Sequence, residues 1–98
     1  MTVELNLIVN DSPIRTDYFV EAFIDHTVSG MMEALEGTGE IGELDLSIEG
    51  ETVSIVLNGD KIPTNAFVNK IMKATIEGMV STLKGVKEIK KLSITIRK

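Results

Sequence analysis

A chain of 98 residues with 43% apolar and 26% charged side chains holds enough apolar content for one packed domain and too much for disorder. The absence of cysteine excludes disulfides and thiolate chemistry, the single histidine excludes a histidine-rich metal site, and no apolar run approaches the length of a membrane span. The net charge of −5 speaks against nucleic acid and is unevenly placed: residues 1–50 hold eleven carboxylates and one arginine (−10), residues 51–98 four carboxylates and nine cations (+5).

The first strand is predicted over Val3–Val9, where Val3, Leu5, Leu7 and Val9 alternate with Glu4, Asn6 and Ile8. A loop, Asn10–Thr16, leads to a helix with Thr16 as its N-cap and Gly37 as its left-handed stop. Leu44, Leu46 and Ile48 mark a second strand, and Gly50 turns it into a third, Val53, Ile55 and Leu57. A second loop, Asn58–Thr64, feeds a second helix capped by Thr64 and ended at Gly85, and Leu92, Ile94 and Ile96 form the last strand.

These elements repeat. Shifted by 48 positions, the chain matches itself at fourteen positions without a gap, among them Asn10/Asn58, Thr16/Thr64, Phe19/Phe67, Gly30/Gly78 and Gly37/Gly85. Ordinary composition would give about three. The reading is a single domain, 1–98, built from tandem βαβ repeats at 3–50 and 51–98. The expected fold class is α+β: a two-layer, ferredoxin-like (βαβ)2 sandwich from an internal duplication. Its antiparallel sheet would have order 4-1-3-2, with two helices on one face and the other face open. An apolar arc of about 180° runs from Phe19 through Gly30 and Phe23 to Val28 in the first helix and from Phe67 through Gly78 and Ile71 to Ile76 in the second; with Met32 and Val80 at the margins, these broad arcs offer a second surface for association. Gly30 and Gly78, costly inside a helix, are expected where the two helices cross closely.

The chemical inventory is thin. An enzyme using His26 with Glu33 ranks third, behind association and small-ligand binding, and the expectation is that the protein is not an enzyme and needs no cofactor or metal. Gly37-Thr-Gly-Glu-Ile-Gly42 spells a dinucleotide fingerprint, but it comes after a helix and before a strand, the reverse of what phosphate binding needs. Under the 4-1-3-2 order the two strand-to-helix loops would lie side by side. Asn10, Ser12, Arg15, Thr16, Asn58, Lys61 and Thr64 would then form a small-anion or small-ligand site at paired helix N-termini. The open sheet face would carry Ile8 and Val56 at its centre. An acidic edge strand (Glu43, Asp45, Glu49) and a basic one (Lys90, Lys91, Arg97, Lys98) would flank it, a surface for association with itself or another protein. That face lacks the aromatics that bases stack on, so no nucleic acid is expected, and no membrane. Nothing in Met1–Glu4 reads as a signal peptide, so a cytoplasmic location is expected.

Acylphosphatases, small metal carriers and amino-acid-sensing modules share the ferredoxin-like architecture. Their arginine-bearing glycine loop, metal-binding cysteines and ligand-sensing glycine turn are absent here, so fold alone transfers no function. The leading expectation is a non-enzymatic interaction or oligomerisation module, with small-ligand binding as the alternative.

Overall fold

The computed structural model describes residues 4–37 and 40–98; Val3 and the pair Thr38–Gly39 of the glycine-rich loop lie outside the described residues. In chain order the elements are β1 (Glu4–Val9), β2 (Ser12–Ile14), α1 (Tyr18–Glu36), β3 (Glu43–Glu49), β4 (Thr52–Leu57), β5 (Asp60–Lys61), α2 (Ala66–Val80) and β6 (Lys91–Arg97). The fold is α+β, two helices with a six-stranded antiparallel sheet of order β2-β1-β6-β3-β4-β5.

The expected order 4-1-3-2 is therefore corrected. Counting the four long strands alone, the sheet runs 1-4-2-3, with β6 and β3 at its centre and β1 and β4 flanking them. Two tight hairpins are the physical reason. Asn10 and Asp11 both take positive φ (51° and 69°), as do Asn58 and Gly59 (51° and 86°), which is the two-residue turn that matches strand twist. Each turn folds a short strand back onto its predecessor, Val9 opposite Ser12 and Leu57 opposite Asp60. One side of β1 and one side of β4 are thereby used up, so neither can sit in the middle of the sheet. The outermost strands that result, three residues with Pro13 and two residues, offer little ladder for another chain to join.

The remaining pairing respects the 48-residue shift. Between β3 and β6, Leu44 faces Ile96, Ile48 faces Leu92, and Leu46 faces its own counterpart, Ile94. The pseudo-twofold axis thus passes through the Leu46–Ile94 pair. Alternation holds: Leu5, Leu7, Val9, Leu44, Leu46, Ile48, Val53, Ile55, Leu57, Leu92, Ile94 and Ile96 all bury on one side of the sheet. There they form a single cluster with Ile24, Val28 and Met32 of α1 and Met72, Ile76 and Val80 of α2.

Both helices start one residue later than expected. Asp17 and Asn65, not Thr16 and Thr64, are the N-caps, accepting from the amides of Val20 and Val68 at 2.9 and 2.8 Å. The threonines sit just outside and donate to the Glu21 carboxylate (2.8 Å) and the Asn69 side chain (2.5 Å). Gly37 ends α1 with φ 76° as expected, whereas α2 stops at Val80, short of Gly85. There the hydroxyls of Ser81 and Thr82 donate back to the carbonyls of Gly78 and Met79 and compete with further helical turns.

Candidate interaction surface

The first and third long strands being flanks, their following loops cannot meet. β1 and β4 run in opposite directions on opposite sides of the central pair, so Asn10 and Asn58 lie at diagonal corners, and Ser12, Arg15 and Thr16 follow one edge of the sheet while Lys61 and Thr64 follow the opposite edge. No joint loop site forms. The two asparagines are instead clamps between the repeats. Asn10 donates from Nδ2 to the Glu88 carbonyl (2.6 Å) and accepts at Oδ1 from the amides of Lys90 (2.8 Å) and Lys91 (3.0 Å). Asn58 does the same to Glu40 (3.2 Å), Gly42 (2.7 Å) and Glu43 (2.9 Å), each partner one repeat earlier.

The open sheet face changes character with the order. Ile8 and Val56 are on the flanks, not on middle strands, and across the sheet between them run Ser93 and Ser47 or Thr95 and Asp45. The apolar centre expected there is a hydroxyl-rich strip. The acidic and basic strands, expected at opposite edges, lie side by side at the centre. Arg97 reaches Asp45 at 3.3 Å and Glu43 at 3.8 Å, and donates to the Leu44 carbonyl. Lys91 sits 3.0 Å from Asp11, whose hydrogen bond and charge, helped by Glu49, hold its ammonium above the usual lysine range. Part of the opposite charge of the two repeats is thus satisfied within the fold. The same holds under the helices, where Asp25, 9% exposed, pairs with Lys98 at 3.0 Å, and its counterpart Lys73 pairs with Glu77 at 3.3 Å.

The helix layer carries the larger anomaly. An apolar arc of 180° is wider than the stripe of about 100° that one sheet covers. The sheet takes the side of the arc that ends on Met32 and Val80; these two, expected at the margin, are fully buried. The other side faces out. Phe19 is 73% exposed, Phe23 53%, Phe67 71% and Ile71 50%, and each aromatic or aliphatic residue has its counterpart in the other repeat. The rings of Phe19 and Phe23 touch, their centroids 5.9 Å apart. Beside them an apolar groove opens between the helices, lined by Phe19, Val20, Phe23, Met79, Thr82 and Leu83. His26 stands on the same outer face, next to Phe19, Phe23 and Thr27. Periodicity grouped the four large side chains with the core-facing residues in one arc, and the excess width of that arc was the signal that part of it would stay outside.

Gly30 and Gly78 lie in this outer face rather than at a close helix crossing: a Cβ built on either would meet nothing within 4 Å. Gly30→Ala and Gly78→Ala are each expected to raise the stability of the dilute protein by about 0.5–1 kcal/mol, since alanine fits the helix and loses less backbone entropy. Urea unfolding at low micromolar concentration measures this, and a loss of stability would mean that the fold itself closes on these positions.

Among the described residues no group of His, Asp and Glu side chains is placed to hold a metal ion, and no helix is long and apolar enough to cross a membrane. Comparisons with protein-family models, with curated proteins and with solved structures find no match to this chain.

Proposed function

We propose that this protein is a non-enzymatic association module whose contact surface is the outer face of its helix layer. One observation carries the reading: both repeats expose large apolar side chains at the same helical positions, Phe19 with Phe67 and Phe23 with Ile71. At roughly 150–250 Å² per aromatic side chain, their exposed fractions together amount to on the order of 450 Å². That is the size of the largest apolar patch an isolated protein ordinarily shows, a patch that is often functional, and aromatic residues at the centre of a patch are what interfaces select. The sheet offers no comparable surface, since its open face is hydroxylated across the middle and its edges are short.

Site-specific photo-crosslinking in living cells tests it. A benzophenone side chain at position 19 or 67 is expected to give adducts of discrete mass, and one at position 8 or 56 none. Adducts from the sheet positions alone, or from no position, would overturn the reading.

A further inference from the structure

A helix face that serves for association must have an occupant. On the premise that this face is the contact surface, we infer that the occupant is a second copy of this chain, bound so that α1 of each protomer lies antiparallel on α2 of the other.

Shape is the first ground. Each helix is bulky in its N-terminal half and small in its C-terminal half along the outer face: Phe19 and Phe23 then Gly30 and Ala34 in α1, Phe67 and Ile71 then Gly78 and Thr82 along the line of α2. Antiparallel helices stacked face to face bring the bulky half of each against the small half of the other. The groove bounded by Phe19, Phe23, Met79, Thr82 and Leu83 supplies a hollow for an incoming aromatic ring. It also gives the two glycines a use. They weaken helices in which the single protomer leaves open space above them, and that space is where a partner helix would approach.

Charge is the second ground, and it selects among packings. Shape alone would also allow α1 on α1 and α2 on α2. Yet on their exposed sides α1 presents Glu33 and Glu36 and no lysine or arginine, while α2 presents Lys70; Asp25 and Lys73 are already paired with Lys98 and Glu77. Stacking α1 on α1 would set Glu33 over a helix without a cation, whereas α1 on α2 opposes it to Lys70. The helix directions agree with this choice. α1 and α2 run antiparallel within a protomer, because the pseudo-twofold axis through Leu46–Ile94 relates them and the start of α1 (Phe19, Phe23) lies across the groove from the end of α2 (Met79). A twofold axis parallel to the helices, lying in the contact plane, therefore places α1 over the partner's α2 in antiparallel sense. It also brings the C-terminal half of α1, with exposed Glu33, over the N-terminal half of α2, with exposed Lys70. The contact occurs twice, as a closed twofold dimer requires. The four large side chains supply about half of the ~800 Å² per partner found in stable interfaces, and the small residues between them, with Ala22, His26 and Ala74, extend the patch.

Sedimentation equilibrium of the purified full chain is the test. At about 100 μM the wild type is expected at twice its 10.7 kDa mass. The double variant Phe19→Glu/Phe67→Glu should sediment as a monomer with an unchanged far-UV spectrum. Gly30→Leu/Gly78→Leu, which strengthens both helices while filling the approach, should do the same. Glu33→Lys and Lys70→Glu should each weaken the dimer about tenfold at low salt, because the pair occurs twice, and the double reversal should restore it. A monomeric wild type, a dimer that survives either double variant, or a Glu33→Lys dimer as tight as the wild type would overturn the inference. The crosslinking experiment separates the two failures: helix-face adducts to a protein of another mass reject the second copy and keep the association surface, while absence of adducts rejects both.

Discussion

Leu46→Ala and Ile94→Ala are each expected to lower the unfolding free energy by about 3–4 kcal/mol, the largest single effects in the molecule. Both side chains are all but inaccessible, at 1% and 0%, and they face each other across β3 and β6 on the pseudo-twofold axis, with both helices above them. A cavity opened there is surrounded on all sides by elements pinned to one another, so little can collapse to fill it. A domain of this size has only about 5–15 kcal/mol to lose, so the double variant should be close to unfolded at 37 °C. Urea titrations of the two single variants and the double variant measure both the losses and their coupling. Directly opposed residues should couple by about 0.5 kcal/mol or more, whereas residues separated by further strands should add. Simple additivity for this pair would contradict a sheet centred on β3 and β6.

How far the sequence could be read depends on which interactions are local. The alternation of Leu44, Leu46 and Ile48 and of Leu92, Ile94 and Ile96 is a period-two property of the chain, and every one of those residues is buried. Gly37 ends a helix by its own conformation, and the turn at Gly50 joins two strands with no residues to spare for anything else. Strand order is not local in that sense, yet one local feature decided it. Asn58-Gly59 between an alternating run and Asp60-Lys61 is a hairpin signal, and so is Asn10-Asp11 in its place. Read as loops feeding helices, they leave β1 and β4 free on both sides and permit the order 4-1-3-2. Read as hairpins, they forbid it. Everything that depended on that order moved with it: the charged strands went from the edges to the centre, Ile8 and Val56 from the centre to the flanks, and the paired loops to opposite edges.

The orientation of the helices was hidden for a different reason. Periodicity places Phe19, Phe23, Thr27 and Gly30 on one side of α1 and Val28 and Met32 on another, but it cannot say which side the sheet covers. That depends on how the crossover rolls the helix over strands that supply twelve large aliphatic side chains of their own. With the sheet side already so filled, the narrower aliphatic side of each helix completes the core, and the aromatic side is left over. The candidate surface was thus present in the sequence as an excess, a helix more apolar than one interface needs.

Asn58→Ala is expected to cost about 2–3 kcal/mol, and Asn10→Ala a similar amount. Both are half of one device. Each asparagine ends a flanking strand in the left-handed region, φ 51°, and its side chain holds the loop that enters a central strand of the other repeat. Its own amide adds a fourth bond to that loop, to the Lys91 carbonyl (2.9 Å) from Asn10 and to the Glu43 carbonyl (2.8 Å) from Asn58. Alanine loses three side-chain hydrogen bonds worth about 0.5–1.5 kcal/mol each, less what water returns at an exposed corner, and it tolerates positive φ poorly. Asn58→Gly separates these two costs, since glycine relieves the backbone and restores none of the bonds; it should still lose about 1.5 kcal/mol. The two clamps sit at diagonal corners without shared partners, so Asn10→Gly/Asn58→Gly should lose the sum of the single effects. Hydrogen exchange adds a local reading: the amides of Gly42 and Glu43 should lose protection in Asn58→Gly, and those of Lys90 and Lys91 in Asn10→Gly, each without the other. If Asn58→Gly is as stable as the wild type, the asparagine is there only for its turn, and the clamp is not what joins the repeats at their corners.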